Sequence, residues 1–139
     1  MMAPSFLYSG VMKKTDVLIP LEAPLLDARG FIQPLLERQM KSALLISSVK
    51  GAVRANHYHK TDWHYCYVLK GAIEYYHRPF GAKGKPKFLL VKAGQMVFTP
   101  PMVEHAMKFS SATDFLTLSR NARDQKAYEK DVIRVNLLP

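Results

Sequence analysis

Cysteine is nearly absent from the 139-residue sequence, which contains only Cys66. A single cysteine forms no internal disulfide, so nothing in the sequence indicates an oxidising compartment. The first 14 residues lack a basic segment followed by a long apolar one, and no run approaches the roughly 18 apolar residues that span a bilayer. We therefore expect a soluble, cytoplasmic protein with no signal peptide and no membrane partner.

Acidic residues are also scarce, with 11 Asp and Glu against 20 Lys and Arg and a formal charge of +9. A basic balance is compatible with nucleic acid, acidic lipid or an anionic small molecule as the partner. The densest basic run, Lys83, Lys85 and Lys87, lies in a Gly/Pro-rich segment typical of a hairpin loop. The scattered charge predicts a solvated surface and no nucleic-acid partner. We expect a small-molecule substrate, and the positive charge is compatible with an anionic one.

Internal repeats are absent, whereas nine prolines and seven glycines interrupt the chain frequently. Short apolar runs between turn signals are typical of an all-β sandwich or barrel. A chain of this length fits one domain and can bury a core without disulfides. We predict a single domain over residues 1–139, in which residues 1–24 form an N-terminal arm or edge strands.

The predicted strands follow the apolar and alternating runs of the sequence. They cover residues 25–32 (strand, turn and strand), 42–49, 52–60, 64–69, 72–77, 88–92, 96–99, 104–109 and 115–119. The tail is predicted to hold one helical turn before a final strand at residues 132–135.

Four of the five histidines form a candidate metal site. His57 and His59 are two residues apart in a predicted strand, so both imidazoles point to one face. His64 follows a short turn, which predicts that it lies on the antiparallel neighbouring strand, with facing Cβ atoms about 4.5–5.5 Å apart. His105 is distant in sequence, and we expect barrel closure to bring it to the same point.

Imidazole is a common ligand of transition metals. We therefore predict one divalent ion bound by His57, His59, His64 and His105, without distinguishing zinc, iron, nickel and manganese. The alternative is a barrel that has no metal and keeps a polar pocket at these positions.

The spacing of these residues resembles the two signature motifs of the cupin superfamily. In the first, Gly51 is followed by five residues, His57-Tyr58-His59, four residues, His64, six residues and Gly71. In the second, Gly94 is followed by five residues, Pro100, one residue, Met102, two residues and His105. The resemblance spans residues 51–109 and implies a cupin fold, a jelly-roll barrel also called a double-stranded β-helix, with the four histidines at the metal positions.

The sequence departs from the cupin motifs at three positions. His64 stands where the family has a glutamate ligand, Met102 where it has glycine, and Phe109 where it has asparagine. Four neutral imidazoles leave the full positive charge of a divalent ion uncompensated. Such a site favours an anionic ligand or substrate.

Two further segments resemble RmlC-like cupins of carbohydrate pathways. Asp27-Ala28-Arg29-Gly30-Phe31 is similar to the Asp-Xaa-Arg-Gly-Phe segment of nucleotide-sugar epimerases in the dTDP-4-keto-rhamnose group. Arg54-Ala55-Asn56-His57-Tyr58-His59 is similar to an Arg-Gly-Asn-His-Xaa-His pattern of sugar-nucleotide ketoisomerases and capsular-polysaccharide enzymes. The resemblance implies an isomerase or epimerase of a keto-sugar or nucleotide sugar. Arg29 and Arg54 are each either a phosphate ligand or a surface charge.

Two other functions stay open because a fold alone does not choose an activity. The first is a three-histidine dioxygenase, in which His57, His59 and either His64 or His105 hold iron. The second is a ligand-binding or sensing module without turnover. No organic cofactor is predicted, and no catalytic acid or base is identified, because Glu104 is expected to face away from the histidines.

The remaining expectations concern packing. Both faces of residues 64–69 carry large apolar groups, so a second protomer or the N-terminal arm must cover the outer face. Since cupins are often dimers, we expect a homodimer. Cys66 is expected to face inward as a small buried residue rather than as a metal ligand, and His77 is expected to be a surface histidine.

Overall fold

The computed structural model describes residues 17–138. In chain order the described elements are β1 (Leu25–Asp27), β2 (Gly30–Ile32), β3 (Ser42–Ser48), β4 (Val53–His59), β5 (His64–Lys70), β6 (Ala72–Pro79), β7 (Lys87–Lys92), β8 (Met96–Thr99), β9 (Val103–Lys108), β10 (Thr113–Ser119), α1 (Gln125–Asp131) and β11 (Val132–Arg134). The predicted strands are confirmed, with ends that differ by at most two residues.

Two antiparallel sheets form the body of the molecule. The first has the order β3-β10-β5-β8 and the second the order β11-β4-β9-β6-β7. Val68 and Phe115 of the first sheet share one buried cluster with Ile73 and Met107 of the second. The two sheets therefore enclose a common core, and the prediction of an all-β jelly-roll barrel is confirmed.

The outer face of β5 is covered by the chain itself. Ile19, Tyr65 and Met96 form a second buried cluster, against which Leu36 packs. The Ile19 amide donates to the Met96 carbonyl at 2.8 Å, so residues 17–19 run along β8 as an edge segment. These residues bury Tyr65 without a second protomer, whereas Leu69 at the far end of the same face is 48% exposed. The rest of the predicted N-terminal arm, residues 1–16, lies outside the described residues.

A glycine turn leads from β5 in the first sheet to β6 in the second. Gly71 has a φ of +82°, and a Cβ at this position would collide with the Ala112 carbonyl oxygen and with Thr113. The Thr113 hydroxyl donates to the Ala72 carbonyl at 3.0 Å. Only glycine meets both the conformational and the steric requirement here, and this close contact fixes where the chain crosses between the sheets.

A bulge in β4 sets which side chains enter the barrel. Ala55 and Asn56 have φ values of 67° and 63°, and the pairing with β9 shifts by one residue between Ala55 and His57. Arg54 therefore lies opposite Met107, and His57 lies opposite His105. Because directly paired residues share a face, both Arg54 and His57 point to the inside.

The helix α1 lies between β10 and β11. Asp124 caps its first turn by accepting a hydrogen bond from the Ala127 amide at 3.1 Å, as expected for an N-cap aspartate. The helix ends at Asp131, directly before β11, in which Val132 pairs with His59. This connection places Asp131 beside His59. No helix among the described residues is long and apolar enough to cross a membrane.

Candidate functional site

Neighbouring strands bring three histidines together inside the barrel. His57 and His59 extend from β4, and His105 extends from β9 directly opposite His57. The ring centroid of His57 lies 4.8 Å from those of both His59 and His105. A ligand nitrogen from each of the three lies within 4.8 Å of the others. Since β9 is the immediate neighbour of β4, His105 reaches the cluster by direct pairing, not by closure of the barrel.

His64 joins this cluster from the opposite sheet. Its ring centroid lies 5.5 Å from that of His59 and 5.2 Å from that of His105. The expectation that the strand of His64 is the antiparallel neighbour of β4 is wrong, because β5 pairs with β8 and β10. The short turn after His59 does not close a hairpin, since the Lys60 amide bonds to the Asp131 carbonyl and the Arg120 amide to the Trp63 carbonyl.

Hydrogen bonds fix the orientation of two of the imidazoles. His105 Nδ1 lies 2.9 Å from the Val103 carbonyl oxygen, and His59 Nδ1 lies 3.3 Å from Asp131 Oδ2. Carbonyl and carboxylate oxygens only accept, so each Nδ1 carries the proton and each Nε2 keeps a free lone pair. Such outer partners are typical of metal-ligating histidines.

Asp131 is itself held by three further donors. Its Oδ1 accepts from the amide and the hydroxyl of Thr61, both at 2.7 Å, and its Oδ2 accepts from the Asp62 amide at 3.1 Å. These bonds lower the pKa of Asp131 against the opposing effect of burial. The carboxylate is therefore an ionised anchor for the turn after β4 and for His59.

Burial keeps the clustered histidines neutral. It lowers the pKa of His57 to about 2, with further repulsion from His105 and His59. It lowers the pKa of His105 to about 3, although the bond to Val103 opposes this shift. Burial also places the pKa of His64 well below its ordinary value and lowers that of His59. Neutral imidazole is the form that binds a metal.

The histidines line a cavity of about 150 Å³, which we call the histidine cavity. Its wall contains two cations, three apolar side chains, a carboxylate and a phenol: Arg54, Arg123, Ile46, Met107, Phe115, Asp62 and Tyr128. Arg54 is exposed, as expected for a surface charge, and because of the β4 bulge it also lines this wall, where its Nε donates to Ser48 Oγ at 2.7 Å. The cavity wall therefore combines positive charge with apolar side chains.

Four residues of this region were not found from the sequence: Asp62, Arg123, Tyr128 and Asp131. The Tyr128 ring centroid lies 6.5 Å from that of His57, and the Arg123 guanidinium carbon lies 4.1 Å from the Tyr128 ring. Asp62 was signalled only by its position near His64. For the others the sequence offers no signal, because α1 reaches the site through the fold alone.

Of the other candidate residues, Glu104 and Arg29 lie away from the cluster, whereas Cys66 lines the histidine cavity and His77 pairs with His105 across β6 and β9. Glu104 faces away from it, as expected, and pairs with Arg78 at 2.7 Å. Cys66 is buried as expected, and burial raises the pKa of its thiol to about 12. Arg29 is exposed and pairs with Asp27 at 2.6 Å. The expectation of a surface His77 is wrong: this residue is half-buried, with its ring centroid 5.3 Å from that of Tyr75.

The donor set of the cluster fits a divalent transition metal. Zinc–nitrogen bonds are about 2.0–2.1 Å long, so two imidazole nitrogens on one tetrahedral ion lie roughly 3.4 Å apart, and the ligand nitrogens of His57, His59 and His105 lie within 4.8 Å of one another. His64 is outside this three-nitrogen group, with its ring centroid 5.2 Å from that of His105. The hydrogen bonds to Asp131 and Val103 hold two of the rings in the required tautomer.

No known family model matches the sequence, and no curated protein does. Solved structures with the same fold do exist. A double mutant of the 3,4-ketoisomerase QdtA from Thermoanaerobacterium thermosaccharolyticum, in complex with TDP, matches with a TM-score of 0.70 and 23% identity over 88% of this chain and 89% of that one. A 3,4-ketoisomerase from Helicobacter canadensis matches with a TM-score of 0.67 and 19% identity over 81% and 85%.

A third similar structure is the dTDP-4-dehydrorhamnose 3,5-epimerase from Sulfolobus tokodaii. It matches with a TM-score of 0.63 and 18% identity over 75% of this chain and 69% of that one. These neighbours are RmlC-like cupins. At such identities the likeness establishes the fold, and the chain has the cupin fold that its sequence motifs imply.

Proposed function

We propose that this protein is a metal-dependent isomerase or epimerase that acts on a keto-sugar linked to a nucleotide. The observation that carries the proposal is the cluster of buried, neutral imidazoles in a cavity that also contains Arg54 and Arg123. Structures with the same fold include a 3,4-ketoisomerase bound to TDP and a dTDP-sugar epimerase. Their substrates are anionic, in agreement with the charge of the cavity.

We assign the metal to His57, His59 and His105, with His64 as the fourth ligand. In six-coordination, four imidazoles leave two positions for substrate oxygens. A divalent ion at this point would polarise the carbonyl of a keto-sugar and stabilise the negative charge that develops on its oxygen. Arg54 and Arg123 would attract the anionic substrate and orient it in the cavity.

The proton transfers are assigned to two residues of the cavity wall. Isomerisation or epimerisation next to a carbonyl removes a proton from one carbon and returns a proton to the product, which needs a base and an acid within hydrogen-bond reach. The Asp62 carboxylate and the Tyr128 phenol both line the histidine cavity. We assign Asp62 as the proton acceptor and Tyr128 as the donor.

Metal content is the first measurement for this proposal. Elemental analysis of protein purified without a metal-chelating tag should find one divalent ion per chain. His105→Ala should lose the ion, whereas His77→Ala, which changes a half-buried histidine outside the three-nitrogen group, should keep it. Absence of metal from the wild-type protein, even after reconstitution with zinc, iron, nickel and manganese, would contradict the metal assignment.

Solvent exchange tests the chemistry directly. TDP-4-keto-6-deoxyglucose, the ligand of another QdtA structure, is incubated with the protein in D₂O and followed by NMR. We expect deuterium at a carbon adjacent to the carbonyl and conversion to an isomer. Asp62→Asn should slow the exchange by about 10²–10⁴-fold, and Asp114→Asn on β10 should not. Absence of exchange with every dTDP-keto-sugar tried would refute the proposal.

A three-histidine dioxygenase is the second candidate. Two observations favour it: three imidazoles on neighbouring strands converge, and Ile46, Met107 and Phe115 contribute apolar side chains to the cavity wall. Iron as the bound metal, together with oxygen consumption that needs an organic substrate, would favour this function over the isomerase. Zinc or nickel would favour the isomerase.

The association and location of the protein remain predictions. We propose a homodimer, a cytoplasmic location and no nucleic-acid partner. The outer face of β5 does not by itself require a partner, because the chain's own residues bury Tyr65 there. The homodimer is proposed from the exposed apolar side chains of the hairpin β1–β2.

A further inference from the structure

The basic run of the sequence, Lys83, Lys85 and Lys87, lies outside the site described above. Lys83 and Lys85 belong to the loop before β7, Lys87 begins that strand, and Lys92 ends it. All four lysines are exposed, and within residues 17–138 none of them is in an ion pair. Glu74 on β6 is the single acid of the two paired strands. The two ends of β7 therefore carry uncompensated positive charge.

β7 is also the last strand of its sheet. Its neighbour on one side is β6, and among the described residues no strand pairs with its other side. Phe88 and Leu90, in the middle of its six residues, are 55% and 39% exposed. A free edge of this length, with apolar side chains beside it, is a surface to which a further strand can add.

The hydrogen bonds at one end of β7 show which backbone groups face the free edge. Ala72 and Lys92 lie opposite each other in the β6–β7 pair, yet each uses its backbone groups elsewhere. The amide and carbonyl of Ala72 both bond to the Thr113 hydroxyl. The Lys92 amide donates to Gln95 Oε1, and the Lys92 carbonyl accepts from the Gln95 amide, both at 2.9 Å. The two residues are therefore a non-hydrogen-bonded pair.

The rest of the strand follows from alternation. Hydrogen-bonded and non-hydrogen-bonded pairs alternate along antiparallel strands, so Leu90 and Phe88 also form non-hydrogen-bonded pairs with β6. Their amides and carbonyls point away from β6, whereas those of Leu89 and Val91 bond to it. The free edge thus presents two donors and two acceptors, spaced as an extended peptide requires.

The charge at this edge decides which strand it accepts. Lysines on an edge strand oppose pairing with a strand of like charge, and a second copy of β7 would bring its own lysines. The first 14 residues of the chain also contain lysine and no acid. β3, at the edge of the first sheet, has no charged residue. The edge of β7 is therefore distinguished by its charge, which is complementary to an acidic segment.

We propose that the free edge of β7 binds an extended acidic segment of a partner protein as an additional strand of the second sheet. In this mode of recognition the main-chain hydrogen bonds supply affinity, and alternate side chains supply specificity. Phe88 and Leu90 provide the backbone groups and the apolar contacts, and the lysines at both ends attract the carboxylates. A nucleic acid has the charge but lacks the amides. No residue of β7 lines the histidine cavity, so this inference is independent of the proposed function.

A synthetic peptide tests the binding mode. The probe is a fluorescein-labelled hexapeptide that alternates glutamate with valine and equals β7 in length, and its anisotropy is followed as the whole protein is added. We expect saturable binding that weakens as salt is raised, because exposed charges are screened. Lysine in place of glutamate should weaken binding about tenfold or more, and methylation of every backbone amide should abolish it. Equal binding of the methylated peptide or of a short oligothymidylate would overturn the proposal, because charge alone would then explain the binding.

Matched variants locate the charge. Lys87→Gln combined with Lys92→Gln should weaken binding of the acidic peptide about five- to tenfold, because two exposed charge pairs are lost. Lys126→Gln combined with Lys130→Gln makes the same change in charge at exposed residues of α1 and should leave the affinity unchanged. Equal losses in the two double variants would contradict a role for the lysines of β7.

Amide hydrogen exchange locates the edge. When the acidic peptide binds, NMR should show slower exchange at the Phe88 and Leu90 amides and no change at Leu89 and Val91, whose amides already bond to β6. Protection on β3 instead, or none on β7, would refute the proposal. Phe88 and Leu90 amides that are protected in the free protein would also refute it, because the chain itself or a second copy would then occupy the edge. None of these outcomes bears on the deuterium exchange that tests the isomerase.

Discussion

At the scale of single residues, Asp131 is the link between the site and the rest of the fold. Its carboxylate joins His59, the turn at Thr61 and the amide of Asp62. It is buried, with 8% exposure. A carboxylate with this many buried donors stabilises the turn and also keeps His59 in the tautomer that a metal requires.

We expect Asp131→Asn to weaken metal binding about 10–100-fold, because an amide cannot accept from all of these donors. The free energy of unfolding of the metal-free protein should fall by about 1–3 kcal/mol, since one buried donor loses its acceptor. Metal titration and urea denaturation measure the two effects. Asp124→Asn is the matched control, because asparagine caps a helix as well as aspartate does. A similar loss in both variants would contradict the role of Asp131.

At the scale of elements, the bulge in β4 decides the composition of the cavity. Two consecutive residues with positive φ, Ala55 and Asn56, let Arg54 and His57 both face inward. The Asn56 side chain accepts from the Leu137 and Leu138 amides, at 2.9 and 3.0 Å, and donates to the Leu138 carbonyl at 2.8 Å. The bulge is therefore held by the C-terminal segment.

Asn56→Ala should lower the free energy of unfolding by about 2–4 kcal/mol. It removes three hydrogen bonds, and alanine adopts the left-handed conformation less readily than asparagine. Metal affinity should fall as well, since His57 is the next residue in the chain. Thermal denaturation and metal titration measure these effects, with Asn136→Ala as a control at an exposed asparagine. If the two variants are equally stable, the bulge is not fixed by the Asn56 side chain.

At the scale of the whole molecule, the buried histidines couple stability to pH. In the unfolded chain their pKa lies near 6.5, whereas in the fold that of His57 is about 2 and that of His105 about 3. Arg123 and Arg134 disfavour a charged His57, while Asp62 and Asp131 favour a charged His59. The unfolded state thus binds protons first as the pH falls.

The metal-free protein should therefore be fully stable above about pH 6.5 and lose stability below it. The slope should reach about 1.4 kcal/mol per pH unit for each buried histidine that stays neutral in the fold. Urea denaturation in EDTA at pH 7.5, 6.0 and 5.0 measures it, and His57→Asn should reduce the slope. A stability that is constant over this range would contradict the neutral, buried state of the cluster.

At the same scale, the hairpin β1–β2 presents a surface that suits a second copy of the chain. Leu26, Phe31 and Ile32 are 77%, 62% and 64% exposed, and grouped apolar side chains of this kind mark interaction surfaces. Light scattering should give twice the chain mass of 15.8 kDa. Leu26→Lys combined with Phe31→Lys should give the monomer, and Leu45→Lys, at a side chain 69% exposed on β3, should not. A monomeric wild-type protein would refute the homodimer.

The sequence by itself determined the strands, the all-β class and the histidines that cluster, because alternation and turn residues are local signals and the motif spacing from Gly51 to His105 is specific. The tertiary structure decided how the strands pair. The short turn after His59 looked like a hairpin, yet it sends His64 to the opposite sheet and leaves β9 to pair with β4. Pairing of this kind depends on contacts between distant segments, which no local pattern encodes.

The tertiary structure also decided the surroundings of the histidines. Asp131 and Tyr128 belong to a segment that the sequence marked only as a helical turn, Arg123 directly precedes it, and the bulge at Asn56 brings the exposed Arg54 into the cavity wall. The sequence supplied the imidazoles. Their neutrality, their tautomers and the charge around them follow from burial and hydrogen bonding, which exist only when the two sheets and α1 are packed together.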